Sequence, residues 1–333
     1  MESLNASFRT ELMVDKFPFS IDHHQKILCV GSCFAEHMAK KLIDLKFQVI
    51  LNPFGILYNP VSILRMFEQL LDEKIYQESD LFQHNELWHS FDHHSMFSKK
   101  LPENSLKLIN DEADKSRNLL KEAKLIIITL GTGYVFEHIQ SNQIVANCHK
   151  VPNHSFNRYL LSQEIIYNTL NKTSELILNH NQEAKIIFTV SPIRHIRDGL
   201  VDNQVSKASL LLSVNQLTKQ YEQVYYFPAY EIMMDDLRDY RFYMEDMIHP
   251  THQAINYIWE KFKRSLLSTS ALALAQVISK ITKASLHRSF HPQSESHQKF
   301  IQMQLLNIQK LEQEHPFLDF FLEKSIFNSQ ISV

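Results

Sequence analysis

Two short stretches of the chain carry residue types that could do covalent chemistry. The first is KILCVGSCFAEHMAKKL, residues 26–42, where Gly31, Ser32 and Cys33 end an apolar run and a helical pattern follows at once. A strand that enters a glycine turn and then a helix presents its turn residues at a helix N-terminus, where unpaired N–H groups favour an anion or a developing oxyanion. A nucleophile there gains twice, because a thiol ionises more readily and its own N–H can help hold the oxyanion. The same stretch also reads as an ordinary strand-to-helix turn with Ser32 as N-cap. The second is YRFYMEDMIHPTHQAINYIWEKF, residues 240–262, where Asp246 and His249 stand three apart before a helix that begins near Thr251. On one turn the carboxylate can hold one ring nitrogen of the histidine and leave the other free as a base. A lone pair of this kind could equally be an N-capping aspartate and a surface histidine. Paired with a nucleophile-like turn at the end of the first strand, it points to acyl transfer.

These residues need a scaffold that brings positions over 200 residues apart to one place. Short, unalternating apolar runs at 26–30, 47–51, 124–130, 185–190 and 223–227 read as strands buried on both faces of a parallel sheet. Helical patterns at 35–45, 60–72, 104–121, 162–179, 203–219 and 251–266 separate them. This alternation predicts an α/β three-layer sandwich, α/β/α, with a five-stranded, mainly parallel sheet. Ligands bind such sheets beyond the carboxyl ends of the strands. The chain has only five glycines, where average usage of about 7% would give roughly 23. Gly31, Gly55, Gly131 and Gly133 follow strand-like runs, and Gly199 follows a turn-like SPIRHIRD.

Composition excludes several classes. A net charge of −3 without a basic block argues against a nucleic-acid partner. No run approaches 18 apolar residues, so no membrane span is expected. The N-terminal MESLNASFRTELMVDKFPFS lacks a signal-peptide pattern. Three cysteines without paired spacing fit a reducing, cytoplasmic setting. An α/β catalytic domain is expected over 1–267, with an insertion or flap at about 73–103 and a β-hairpin at about 134–147. A helical extension, 268–333, packs on it. The apolar face of Ile301, Leu305, Ile308 and Leu311 must be covered there or in a homodimer.

Taken together, ILCVGSCFA on the first strand and the late DMIHP resemble the SGNH/GDSL hydrolase superfamily. Within it, GSCFA with NPFGILYNP, ANCHKVPN and SPIRHIRDG resembles the bacterial GSCFA family, over roughly residues 25–325. The resemblance implies an SGNH-like fold with flavodoxin-like strand order, and a catalytic Asp246–His249 pair. Gapless alignment of the first block puts Cys33 where the nucleophilic serine stands, while a shift by one restores Ser32 with a shortened turn. Gly55 or Asn52 takes the second-block oxyanion role. The third block expects asparagine after the strand, and this chain has Gly131-Thr132-Gly133 with Gly133 in its place. Thr132 or Asn147 would then replace the missing side-chain donor.

Asn147 and His149 in ANCHKVPN, with Arg194 and His195 in SPIRHIRDG, belong at the active-site end and suit substrate binding, Arg194 a carboxylate or phosphate. The same residues could instead brace loops. His84, His89, His93 and His94 lack close carboxylate or cysteine partners and read as a polar flap surface, not a metal site, while Trp88 and Phe91 could line an acyl pocket. The expected function is an SGNH-type esterase or acyl hydrolase acting on a small-molecule or carbohydrate ester, an O-acylated sugar by the resemblance, through Cys33 or Ser32. No cofactor and no metal are implied. An acyltransferase, or a non-catalytic SGNH-like protein that binds a carbohydrate or metabolite, are the alternatives.

Overall fold

The apolar runs expected as strands do pair, and they pair in one sheet. The computed structural model describes residues 10–331. Residues 1–9 and 332–333, which include the start of the stretch read for a leader and the outer ends of the two expected units, lie outside the described residues. The strands are β1 (Lys26–Gly31), β2 (Gln48–Leu51), β3 (Phe82–His84), β4 (Leu87–His89), β5 (Ala123–Leu130), β6 (Tyr134–His138), β7 (Gln143–Val145), β8 (Phe156–Leu160), β9 (Lys185–Val190) and β10 (Val224–Tyr226). The helices are α1 (Cys33–Asp44), α2 (Pro60–Leu71), α3 (Pro102–Glu122), α4 (Gln163–His180), α5 (Leu200–Gln220), the short α6 (Ala229–Glu231), α7 (His252–Leu266), α8 (Thr269–Leu286), α9 (Glu295–Glu314) and α10 (Phe321–Asn328).

The central sheet runs β10-β9-β5-β1-β2, and every neighbouring pair is parallel. This is the flavodoxin-like order of a doubly wound fold, with its topological switch point between β1 and β5. Successive strand residues face opposite layers. Leu28, Val30, Ile126, Ile128, Ile186 and Phe188 pack with residues of α2 to α5. Ile27, Cys29, Leu125, Ile127 and Ile187 pack with Phe34, Met38 and Leu42 of α1 and Ile258 and Phe262 of α7. The fold is therefore the three-layer sandwich that the alternation predicts.

Two outlying regions are more ordered than the sequence suggested. Within the 73–103 stretch β3 and β4 form an antiparallel hairpin. The expected hairpin at 134–147 forms from β6 and β7 and gains a third strand, β8, which the alternating pattern of FNRYL did not make evident beside its charge. Of the four histidines of this region, His84 and His94 are half-buried, but His89 and His93 are not part of a polar flap surface. His89 and His93 are buried, and the His93 ring stacks on Phe54 with 4.2 Å between centroids. Burial holds the His93 ring neutral, its pKa well below the usual value. Phe91 stacks on Phe82 and lines a cleft with Arg65 and Gln143.

The last helices have a core of their own. Ile301, Ile308 and Leu311 of α9 are buried against Ile278 and Ile281 of α8 and Phe320 and Phe327 near α10, with Leu305 packed at the margin. Ile308→Ala should therefore cost about 2–5 kcal/mol, while Leu306→Ala, on the exposed side of the same helix, should change stability by under about 0.5 kcal/mol. Thermal melts of the two variants check this. Deleting residues 290–333 should cause aggregation, and a soluble truncation with an unchanged Tm would refute the packing argument.

Candidate active site

The site is built where β1 stops. Gly31 has φ 134, and a Cβ there would stand 2.1 Å from the Thr129 carbonyl oxygen of β5, so no side chain fits without moving the neighbouring strand. Ser32 donates its N–H to the same carbonyl at 3.1 Å and caps α1. Its Oγ is buried and has no partner among the described residues. Cys33 is the first residue of α1 and is only half-buried. Its Sγ lies 3.5 Å from the Tyr58 hydroxyl.

Asn52 closes the turn from the other side. Its backbone has φ 47, its N–H donates to Cys29 O at 2.8 Å, and its Oδ1 accepts the Gly31 N–H at 2.8 Å. The Nδ2 of Asn52 is buried without an acceptor among the described residues. Gly55 has φ 78 and gives its N–H to Asn52 O at 2.7 Å, so that donor is already engaged. A Cβ on Gly55 would meet His94 Cβ at 2.2 Å.

The Asp246–His249 pair forms as the spacing predicts in geometry. His249 Nδ1 and Asp246 Oδ2 are 2.6 Å apart, and Asp246 Oδ1 accepts the N–H groups of Ile248 at 2.9 Å and His249 at 3.0 Å. The His249 backbone N–H first, then its ring, then the Ile248 N–H hold the Asp246 carboxyl down to about 2. The loop that carries the pair is closed by a bridge between Tyr243 and Pro250 and docks through Arg194 N–H on Ile248 O at 3.3 Å. His249 lies near enough to His37 and His195 to oppose protonation of both, after the larger effect of their burial. His37 stands four residues after Cys33, on the same face of α1.

The third loop is spent on structure. Gly131 and Thr132 both donate to the Tyr58 carbonyl, at 2.8 and 3.0 Å. Thr132 Oγ1 lies 3.1 Å from Ser206 Oγ and accepts from Tyr134 N–H, while Gly133 N–H donates to Ser206 Oγ at 2.8 Å. His149 is buried with Nε2 2.7 Å from Ser90 O, and burial brings its pKa down to about 4. It braces the β3–β4 region. Asn147 accepts the His149 N–H at 2.8 Å and lines a cleft of about 570 Å³ with Tyr58, Arg194 and His195. His195 presents its ring edge-on to Tyr58, with 5.5 Å between centroids, and burial, then Lys207 and Arg158, push its pKa down to about 3. Among the described residues no three His, Cys, Asp or Glu side chains converge to hold a metal ion.

A parallel three-layer sheet with a turn of this kind at its switch point, and an Asp–His pair before α7, is the architecture the SGNH resemblance implies. Residues 26–262 match the GSCFA family, and residues 278–333 match the GSCFA domain protein, C-terminal domain. The chain belongs to the GSCFA family. Among solved structures, a family 3 carbohydrate esterase from Clostridium thermocellum is similar at 9% identity and TM-score 0.35, covering 72% of this chain and 94% of that one. A carbohydrate esterase family 3 protein from Talaromyces cellulolyticus is similar at 13% identity and TM-score 0.26, over 50% of this chain and 67% of that one. An acetyl esterase mutant determined with an acetate ion gives 13% identity and TM-score 0.27, over 50% of this chain and 68% of that one. No protein with a curated description matches the chain.

Sequence reasoning missed Tyr58 and Lys207. Tyr58 lies inside NPFGILYNP but carries no spacing signal of its own. Lys207 had one, because it falls on the buried stripe of α5 with Asn203, Leu210, Val214 and Leu217. Its Nζ is buried and donates to Gly131 O and Ser191 O, both at 2.7 Å, tying the ends of β5 and β9 together. Burial lowers its pKa to about 7, against roughly 10.4 in an unfolded chain. Between those values the unfolded chain binds the extra proton, so this group makes stability rise with pH above about 7. The buried Cys29 thiol, pushed up to about 12, acts in the opposite sense. The difference between wild type and Lys207→Met isolates the lysine: urea midpoints from pH 6.5 to 9.5, on the order of the window between those two values, should show a smaller upward contribution in the variant.

Proposed function

We propose that this protein is an SGNH-type acyl hydrolase that cleaves an ester through a covalent acyl-enzyme on Cys33. The observation that carries the reading is the 2.6 Å bond between His249 Nδ1 and Asp246, which leaves Nε2 of the ring available as a base. The half-buried Cys33 against Ser32, whose Oγ is fully buried, favours the cysteine as nucleophile. The third block's asparagine is missing, and a better nucleophile tolerates a weaker oxyanion hole.

In this mechanism the Cys33 sulfur attacks the ester carbonyl carbon, and its proton passes to His249 Nε2. The carbonyl oxygen becomes an oxyanion, held by the Cys33 N–H at the start of α1 and by Asn52 Nδ2, the buried donor without an acceptor. His249 then gives its proton to the departing alcohol as the C–O bond breaks. Water attacks the thioester with His249 as base, the free acid leaves, and the thiol is restored. Asp246 stays ionised throughout and orients the ring. The Tyr58 hydroxyl, 3.5 Å from Sγ, can donate to the sulfur as its negative charge grows; burial first and then its bond to Cys33 raise the pKa of this phenol, so it keeps its proton. An O-acylated sugar is the substrate class that the family resemblance suggests.

Iodoacetamide labelling with peptide mapping tests the nucleophile. Cys33 should react fastest, because burial pushes Cys29 up to about 12 and Cys148 up to about 11. His249→Ala should lower kcat on a short-chain p-nitrophenyl ester by about 10²–10⁴. Cys33→Ala should abolish acyl-enzyme formation, seen by mass spectrometry of the intact chain. Activity that survives Cys33→Ala and is lost in Ser32→Ala would hand the role to Ser32.

A further inference from the structure

The cleft beside Tyr58 is cationic, and its charge is not used up by the protein. Its lining includes Arg158, Arg194 and Arg197 and no carboxylate. Arg158 is committed: its Nε donates to Asp198 at 2.7 Å and its second nitrogen reaches the other carboxylate oxygen. Arg194 and Arg197 are not. Arg194 lies over the Tyr243 ring at 4.0 Å and makes one contact of 3.4 Å to Met247 O. Arg197 lies over Phe136 at 5.1 Å and makes one contact of 3.3 Å to Asn153 Oδ1. Each guanidinium has five N–H donors in a fixed fork, so most remain open to a ligand. The contrast with Arg65, which lines a different cleft but is paired with Asp92 at 2.6 Å, shows how this chain neutralises an arginine that has a structural task.

After burial, Lys207 and Arg158 oppose protonation of His195 while Asp198 favours it, and Arg197 and Arg158 both act on the Cys148 thiol across the cleft. A cleft of about 570 Å³ is large enough for a sugar ring. The aromatic faces of Tyr134 and Phe136 that Arg158 covers, at 5.0 and 4.5 Å, hold its guanidinium in place.

We infer that the substrate is an anionic sugar ester, whose carboxylate or phosphate is held by Arg194 and Arg197 while its ester carbonyl lies at Cys33. The ester part rests on the acyl-transfer reading; the anion site does not. A planar fork matches both oxyanions, and a site that provides unpaired donors discriminates against a ligand that lacks the anion. A neutral sugar would leave most of the donors of the two guanidiniums open.

Calorimetry on the full chain carrying Cys33→Ala tests binding without turnover, using methyl glucuronoside, glucose 6-phosphate and neutral methyl glucoside. At least one anion should bind about tenfold or more tightly than the glucoside, equivalent to about 1.4 kcal/mol. The preferred one tells carboxylate from phosphate. The preference should fall in Arg194→Gln and Arg197→Gln, survive in part in Arg197→Lys, and weaken in about 0.5 M salt. Equal affinity for the glucoside, no measurable binding of either anion, or a preference intact in both glutamine variants overturns the proposal. Hydrolysis of the corresponding O-acetyl esters by the wild-type chain separates the two readings. Anion binding with no hydrolysis of any ester would sink the acyl-transfer mechanism and leave the anion site standing.

Discussion

The closest constraint in this molecule is the passage of the Gly31 backbone against the Thr129 carbonyl. A single added carbon at Gly31 would lie 2.1 Å from that oxygen, so the turn keeps its place only because a glycine makes it. Once the backbone passes so near β5, its own groups are taken up by the neighbouring loop. Asn52 accepts the Gly31 N–H, and Leu57 donates to the Gly31 carbonyl at 3.0 Å. The same loop then ends at Tyr58, whose carbonyl receives the N–H groups of Gly131 and Thr132. Three segments far apart in the chain are held by backbone hydrogen bonds, and the first residue of α1 is presented over them.

Rigidity at this edge is bought from polar groups that lie inside the fold. Lys207 joins the ends of β5 and β9, and Asp236 does comparable work on the other layer. It accepts from Leu12 N–H at 2.7 Å and from the Tyr257 hydroxyl at 2.9 Å, and pairs with Lys261 at 3.1 Å. Buried polar groups of this kind are tolerated because they are satisfied. Three of the six buried side-chain atoms without a hydrogen-bond partner among the described residues, Ser32 Oγ, Asn52 Nδ2 and His195 Nε2, belong to the turn and the cleft, where a ligand or a solvent molecule could supply the partner.

The central sheet was legible because its strands are buried on both faces, which makes each a short, continuous apolar run with no competing period. KLIIITL and KIIFTV have no other good reading, and the strands observed end within a residue of those runs. Helix ends were legible where a cap residue stood out, as with Thr251 before α7. The Asp246–His249 pair was legible because the bond between the two residues depends on local spacing. What could not be read was set by contacts across the fold. Whether Gly55 or Asn52 keeps an open donor depends on which carbonyl takes the Gly55 N–H, and the use of Thr132 depends on Ser206, 74 residues away. The histidines of the 73–103 stretch looked polar in a list of residue types, yet their rings are apolar enough to stack on Phe54 and Phe82 once a backbone carbonyl or serine satisfies one nitrogen.

Those rings give the molecule a sensitivity to acid. His89, His93, His149 and His195 are held neutral by burial, with pKa values lowered from the ordinary value near 6.5. As the medium is acidified through that value, an unfolded chain takes up protons that the folded chain refuses, so stability falls with falling pH until the buried rings themselves protonate. His23 and His37 are lowered by burial as well, so the protons that an unfolded chain takes up are refused both in the β3–β4 layer, where His89, His93 and His149 lie, and beside β1 and α1. Acid therefore works against the folded chain in more than one layer at once.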